Sequence, residues 1–235
     1  MLERARWGTT LWRPEADGGR GALERPICML PREAGLLRRR CVRVANWGEA
    51  ARPVQDLLDT WGTVAAHGIA APQIGVLRRL FVYRPYEDDA DEGSEAAAPL
   101  AVINPKVIKV AGELTDYDGC LSLPGIYGQT RRAERIEISA QLSPSETVRL
   151  KFEGYTARII QHEMDHLDGV LWIDRLTDDD LDNLYTLAEA PAEGEPVDGG
   201  SAAPQSVLKK VPLTATDREF VAGARRPLPG FALHW

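Results

Sequence analysis

Two histidines with a carboxylate between them occur in the run Gln161-His-Glu-Met-Asp-His166. His162 and His166 are four residues apart, so on a helix their imidazoles project from one face and can bind the same metal ion. Glu163 follows His162 directly and can reach a water molecule held by that metal. Neutral imidazoles favour zinc, iron, cobalt or nickel over magnesium or calcium. The run therefore predicts a transition-metal site, and the competing interpretation is a solvated helix face that carries the histidines by chance.

Two histidines are an incomplete ligand set, because a catalytic zinc site usually takes three protein ligands and leaves a fourth position open. The extended metzincin pattern places a third histidine six residues after the second, where this chain has Trp172. A zincin with a downstream glutamate needs a second helix, and Glu189 borders a segment rich in alanine, proline and glycine. Neither protease pattern therefore supplies a convincing third ligand.

Cys120 is a candidate third ligand, because it lies in the glycine-marked turn Asp118-Gly-Cys-Leu-Ser-Leu-Pro124 and a thiolate binds zinc or ferrous iron strongly. The alternative is a small buried hydrophobic residue, which is the commoner role of a free cysteine. We assign that role to Cys28 and Cys41. Beside the histidine pair, Cys120 becomes the favoured third ligand.

The elements that position these residues follow from hydrophobic periodicity. Apolar residues at helical spacing predict an amphipathic helix over residues 49–66, and short apolar runs at 80–83 and 100–103 suit strands. Alternating apolar and polar residues predict a hairpin over residues 136–152, and helical character returns over 155–167 before the stop signal Asp168-Gly169. The order predicts an α+β fold in which antiparallel strands and a hairpin pack around a late metal-binding helix.

Composition limits the class of protein. The chain has 235 residues, of which 44% are apolar, and a net charge of -7. It has no run of about 18 apolar residues that could cross a membrane, and its negative charge disfavours nucleic acid as the main partner. Three cysteines are too few, and odd in number, for a disulfide framework. The N-terminal residues lack the features of a secretion signal, so we expect a cytoplasmic protein, with an organelle as the second option.

The chain divides into four predicted segments. Residues 1–31 form an irregular N-terminal arm, and residues 32–187 form the catalytic domain, within which the acidic run 87–95 is predicted to be a solvated loop. Residues 188–205 have almost nothing to bury and are predicted to be a flexible linker. Residues 206–235 regain apolar side chains and form a C-terminal extension that either docks on the domain or binds a partner.

Three motifs in this order resemble those of the peptide deformylases. The chain has Ala66-His-Gly-Ile-Ala-Ala-Pro-Gln73, then Asp118-Gly-Cys-Leu-Ser122, then Gln161-His-Glu-Met-Asp-His166. The family has a Gly-rich loop ending in Ala-Ala-x-Gln, a Glu-Gly-Cys-Leu-Ser box and a Gln-His-Glu-x-Asp-His helix. The resemblance runs from about residue 36 to residue 176. It implies a metal-dependent hydrolase that removes the formyl group from the N-terminal formyl-methionine of nascent polypeptides, with the ribosome as a candidate partner.

The resemblance also implies a role for each matching residue. One divalent metal ion, commonly Fe²⁺ and also Zn²⁺ in this family, would be held by Cys120, His162 and His166. Glu163 would be the general base and then the general acid, while Gln73 and the backbone N–H of Leu121 would face the formyl oxygen as it becomes an oxyanion. The implied substrate contacts are His67, Gly68, Gly119, Tyr155 and Ile159.

Three positions depart from the family pattern. Ala66 stands where the family usually has glycine, and a positive φ there would strain an alanine. His67 replaces a branched aliphatic residue near the methionine pocket, and we expect its ring to point to solvent. Asp118 replaces glutamate and is expected to support the turn. Two alternatives therefore stay open: a related amidohydrolase acting on another N-acyl group or small-molecule amide, and a non-catalytic module with a structural metal.

Overall fold

The computed structural model describes residues 24–85, 98–143, 146–191 and 206–228. Most of the predicted N-terminal arm and the whole acidic run 87–95 lie outside these residues. The helices are α1 (Ala34–Leu37), α2 (Trp47–Trp61), α3 (Gly154–Asp168) and α4 (Ala215–Ala224). The strands are β1 (Gly68–Ala70), β2 (Leu80–Tyr83), β3 (Leu100–Ala111), β4 (Leu114–Cys120), β5 (Leu123–Arg132), β6 (Arg135–Ser143), β7 (Glu146–Glu153), β8 (Tyr185–Pro191) and β9 (Ser206–Pro212). The predicted α+β class is confirmed.

A five-stranded antiparallel sheet has the order β1-β2-β3-β6-β7. The predicted hairpin is its β6–β7 pair, in which Ile136 lies opposite Phe152 and Ile138 lies opposite Leu150. Residues directly opposite each other share a face of the sheet, so the alternating apolar residues form one buried surface. That surface packs against the apolar side of α3, including Ile160. The hairpin thus supports the helix that carries both histidines.

The opposite face of the same sheet packs against α2. Leu80 and Val82 of β2 cluster there with Val54 and Leu57 of the helix, while Phe81 belongs to the α3 side. A strand that is buried on both faces has a continuous apolar sequence, as β2 does. Helix α2 ends at Trp61 rather than at the predicted residue 66, with the N–H of the following residue bonded back to the helix.

Among the described residues, no helix is both long and apolar enough to span a bilayer.

A four-stranded antiparallel sheet has the order β4-β5-β8-β9 and includes the C-terminal segment. The prediction of a flexible linker is wrong for residues 188–191, which belong to β8 because residues 206–212 supply their pairing partner. Residues 192–205 lie outside the described part of the chain. The extension docks on the domain, since Leu213 and Val221 are buried in a cluster with Trp172 and Leu37.

Candidate active site

Helix α3 and the end of β4 bring the three candidate metal ligands together. Helix α3 carries His162 and His166, and Cys120 is the last residue of β4. The ligand atoms of these three residues all lie within 4.8 Å of one another. The Cys120 Sγ and the His166 Nε2 are 3.3 Å apart. The fold therefore brings together the three candidate metal ligands proposed from the sequence, and we call these three residues the donor group.

The electrostatics of Cys120 favour a thiolate. Burial, the largest influence, raises its pKa, but the neighbouring His166 and His162 outweigh it and lower the pKa to about 5. The other cysteines behave differently: burial raises the pKa of Cys41 to about 11 and also raises that of Cys28. Cys120 is thus the cysteine suited to binding a metal, because the thiolate is the ligand form.

Asp118 orients one of the two imidazoles. Its Oδ1 lies 2.7 Å from the Nδ1 of His162. The other ring nitrogen, Nε2, is therefore left for the side where Cys120 and His166 lie. Burial would raise the pKa of Asp118, but Arg132 and then His162 hold it well below its usual range. Burial alone would lower the pKa of His162, and Asp118 raises it well above its usual value instead. A carboxylate behind a ligating histidine fixes its tautomer and orientation, so Asp118 does more than support the turn.

A buried ionic network continues behind Asp118. The Arg132 guanidinium donates to Asp118 Oδ2 at 2.7 Å and to Asp165 Oδ2 at 2.7 Å. Arg175 also donates to Asp165 Oδ2, at 2.6 Å. The network joins β5, α3 and the 3₁₀ turn Trp172–Arg175, and it fixes the ligand helix against the strand that leads from Cys120. Sequence reasoning missed both arginines, because each pairs with a residue of a different secondary-structure element.

Glu163 is buried in the same cleft beside the donor group. Its side chain is 3% exposed, and within the described ranges no hydrogen-bond partner reaches its Oε2. Burial is the largest influence on its pKa and raises it to about 7, although His162 and His166 act in the opposite direction. A carboxyl group with such a pKa can both accept and return a proton near neutral pH.

Gly68 makes room for that carboxyl group. A Cβ atom built on Gly68 would lie 2.3 Å from Glu163 Oε1 and 2.7 Å from its Cδ. No side chain larger than hydrogen therefore fits at Gly68 while Glu163 keeps its position. The requirement is one of space rather than of backbone conformation, because Gly68 is not among the glycines with positive φ.

Gln73 is held with its amide nitrogen towards the site. Its Oε1 accepts a hydrogen bond from the Ala70 N–H at 2.8 Å, so the opposite end of the amide is oriented. The Nε2 lies 3.5 Å from Cys120 Sγ and 3.4 Å from Ser122 Oγ. The same side chain thus ties down its loop and directs an N–H group towards Cys120, one of the candidate metal ligands.

A cleft of about 370 Å³ joins these groups to the surface. Its lining includes all of the residues predicted to contact substrate or the oxyanion: His67, Gly68, Gln73, Gly119, Leu121, Tyr155 and Ile159. His67 is exposed as a whole residue, yet it lines the cleft and its ring meets the Tyr155 ring edge to face with the centroids 6.0 Å apart. Among the described residues, Asn104 is the non-glycine residue with positive φ, so the strain considered for Ala66 does not arise.

Arg158 also lines the cleft, and sequence reasoning gave it no role. Its guanidinium donates to the backbone carbonyls of Leu114, Asp116 and Thr130. These contacts join β4 to β5 beside the cleft. Within the described chain its buried Nε finds no hydrogen-bond partner.

The donor set fits a divalent transition metal, because it combines a thiolate with two imidazoles. Glu163 lines the same cleft and is not one of these three residues. Together with the α+β fold, this arrangement defines the class of protein: a metal-dependent hydrolase.

The chain belongs to the polypeptide deformylase family, whose model matches residues 24–181. The match begins before and ends after the limits expected from the motifs. Curated relatives include a peptide deformylase of Thermomicrobium roseum, 39% identical over 143 residues that cover 60% of this chain and 81% of that protein. A peptide deformylase of Dehalococcoides mccartyi is 36% identical over 171 residues, covering 72% of this chain and 96% of that protein.

Solved structures give the same family. The peptide deformylase of Thermus thermophilus superimposes with a TM-score of 0.59 at 35% identity, covering 67% of this chain and 89% of that one. A peptide deformylase from Synechococcus elongatus in complex with actinonin gives a TM-score of 0.58 at 36% identity, covering 66% of this chain and 84% of that one. Neither alternative function is favoured by these matches.

Proposed function

We propose that this chain hydrolyses the N-formyl amide of formyl-methionyl nascent polypeptides, using one divalent metal ion. The observation that carries the proposal is a buried carboxyl group, Glu163, with an unpartnered oxygen in the same cleft as the donor group of Cys120, His162 and His166. A structural metal site usually closes its fourth position with a protein ligand. Here the fourth residue at the site is instead suited to move protons.

Cys120, His162 and His166 would hold the metal. When bound, a metal of this kind lowers the pKa of water and polarises a carbonyl oxygen. One thiolate and two imidazoles accept either Fe²⁺ or Zn²⁺. We propose Fe²⁺ as the native ion, because the family resemblance implies it, and Zn²⁺ as the second choice. The low pKa of Cys120 supports binding near neutral pH, since the thiolate needs no strong base to form.

Glu163 would act first as general base and then as general acid. It takes a proton from the attacking water while the water oxygen forms a bond to the formyl carbon. It then returns that proton to the amide nitrogen as the carbon–nitrogen bond breaks, so a free amine and formic acid leave, and the acid ionises to formate in water. The pKa of about 7 suits both steps, because a catalytic group works best when its pKa lies near the operating pH.

The formyl oxygen gains negative charge when water adds, and two donors would stabilise it. The Nε2 of Gln73 is oriented by the Ala70 contact, and the backbone N–H of Leu121 belongs to the same cleft. Removing one oxyanion donor typically costs a hydrolase about 3 to 4 kcal/mol in transition-state stabilisation.

The methionine side chain would lie against Tyr155 and Ile159, beside the edge of His67. Gly68 and Gly119 would meet the substrate through their backbone groups in the cleft, because the space left by their missing side chains is taken by Glu163 and Tyr127. We further propose that the enzyme acts in the cytoplasm, where Cys120 stays reduced, and at the ribosome, where formylated chains emerge.

The test begins with anaerobic purification, metal analysis and measurement of formate release from formyl-Met-Ala. We expect one bound divalent ion per chain and turnover that a chelator abolishes. Glu163→Gln should keep the metal and lose a factor of about 10² to 10⁴ in kcat. Glu146→Gln makes the same chemical change at an exposed position of β7 and should behave like the unmodified chain.

Two results would contradict the proposal. Turnover that survives Glu163→Gln removes this residue from the mechanism. Acetyl-Met-Ala cleaved as fast as formyl-Met-Ala would support the broader amidohydrolase instead.

A further inference from the structure

One face of the four-stranded sheet is shared by residues of the family-matched part of the chain, which ends at residue 181, and by residues that follow it. Gly119 lies opposite Tyr127 in the β4–β5 pair, and Tyr117 lies two residues before Gly119 on the same face. Tyr127 in turn lies opposite Tyr185 of β8. Lys210 of β9 lies opposite Leu187, two residues after Tyr185. Because strand residues alternate between faces, Tyr117, Tyr127, Tyr185 and Lys210 point the same way, and we call these four residues the tyrosine–lysine patch.

The members of the tyrosine–lysine patch contact one another. The rings of Tyr127 and Tyr185 are stacked with centroids 5.7 Å apart, and Tyr117 meets Tyr185 edge to face at 5.8 Å. The Nζ of Lys210 lies 3.6 Å from the centroid of the Tyr117 ring and also donates to the hydroxyl of Tyr117. A cation over an aromatic face is held there by the ring's charge distribution. The patch is thus an ordered surface with one positive charge.

The tyrosine–lysine patch continues the wall of the cleft. Tyr117 and Tyr127 line the cleft itself, while Tyr185 and Lys210 extend the same face outwards. Both of these residues lie beyond residue 181, where the match to the family model ends. Tyr117 is 43% exposed and Lys210 is exposed as well, so a bound peptide can reach them.

We propose that the tyrosine–lysine patch binds the residues that follow formyl-methionine in the substrate, and that Lys210 favours carboxylate side chains at those positions. The inference rests on the proposed deformylase function. With the formyl group between Glu163 and Gln73 and the methionine side chain against Tyr155, the rest of the peptide leaves along the wall formed by Tyr117 and Tyr127. The tyrosine rings offer apolar area to any peptide, and Lys210 adds charge selection.

The experiment compares three formyl peptides that share formyl-Met-Ala and continue with two glutamates, two glutamines or two lysines. The kcat/KM of each is measured for the unmodified holoenzyme, Lys210→Ala, Lys210→Glu and Lys209→Ala. Lys209 is the matched control, because it carries the same charge on the opposite face of β9. Formyl-Met-Ala without further residues is the reference substrate.

We expect the unmodified enzyme to prefer the glutamate peptide. Lys210→Ala should reduce the ratio of kcat/KM for the glutamate peptide to kcat/KM for the lysine peptide by about two- to fivefold, the effect of an exposed ion pair. Lys210→Glu should reverse this preference. Raising the salt concentration should weaken the preference, because exposed charges are screened. Lys209→Ala should leave both this preference and the turnover of formyl-Met-Ala unchanged.

The inference is overturned if Lys210→Ala retains the original preference, or if Lys209→Ala reduces it to the same extent. Either result with normal turnover of formyl-Met-Ala leaves the proposed function intact. Absence of turnover on formyl-Met-Ala in the metal-loaded, unmodified protein would instead reject the function itself.

Discussion

The contact between Gly68 and Glu163 allows a sharp test of the proposed general base. Gly68→Ala places a methyl group 2.3 Å from Oε1 of Glu163. Ordinary contact begins near 3.5 Å, so the carboxyl oxygen has to move by about 1 Å. The three atoms nearest to the added methyl group all belong to Glu163, so the clash falls first on this side chain and not on the three candidate metal ligands. The substitution therefore displaces the base without altering its chemistry.

The expected loss follows from that displacement. Misplacing a catalytic group by about 1 Å can cost on the order of 10²-fold in rate, and overpacking typically costs about 1–3 kcal/mol of stability. We expect kcat for formyl-Met-Ala to fall about 10²-fold with metal content unchanged. Gly35→Ala is the control, since a Cβ atom there meets nothing within 4 Å.

A double-mutant cycle separates displacement of Glu163 from obstruction of the substrate. If Gly68→Ala acts through Glu163, adding it to Glu163→Gln should lower kcat little further, because the two changes remove the same contribution. A rise in KM with kcat intact would mean that the methyl group blocks substrate instead. A Gly68→Ala protein with unchanged kcat and KM would refute the spatial reasoning.

Three further predictions concern the groups around the metal ligands. Gln73→Ala should lower kcat by about 10²–10³ with metal content unchanged, and a normal kcat would mean that Gln73 only anchors its loop. Asp118→Asn should weaken metal binding by about 10- to 100-fold in chelator competition; an unchanged affinity would show that the contact with His162 does not tune the ligand. Arg132→Met leaves Asp118 and Asp165 short of a buried partner and should lower the free energy of unfolding in urea by about 3–5 kcal/mol. The exposed Arg149→Met should change it by less than about 0.5 kcal/mol, and equal effects from the two arginines would count against the network.

The sequence predicts the parts of the site that depend on local spacing. The separation of His162 and His166 fixes them on one face of α3, and the alternation in β6 and β7 defines which side of the hairpin packs against that helix. Cys120 stands 46 positions before His166, so no local pattern joins them. Its residue type and the likeness to the family suggest that it belongs to the site. The path of β4, which ends at Cys120, brings it close to His166.

Contacts between distant residues explain what the sequence did not reveal. Gln161 and Asp165 belong to the helix motif and would be comfortable in water, yet both are buried. Gln161 is satisfied by the backbone of Ala133, and Asp165 by two arginines. Strand β8 was not predicted for a similar reason. Its residues, such as Leu187, remain partly exposed, so the sequence shows no buried face. The strand forms because residues 206–212 pair with it.

Asp118 uses its two oxygens for different partners, Oδ1 for His162 and Oδ2 for Arg132 and Thr130. The reach of this short side chain sets the spacing between β4 and α3. A relative with glutamate at the equivalent position has one more methylene group to accommodate, so its strand and helix must stand farther apart or its arginine must shift. The residue at position 118 is therefore expected to covary with its neighbours, and Asp118→Glu alone would not reproduce the geometry that other members of the family achieve with that side chain.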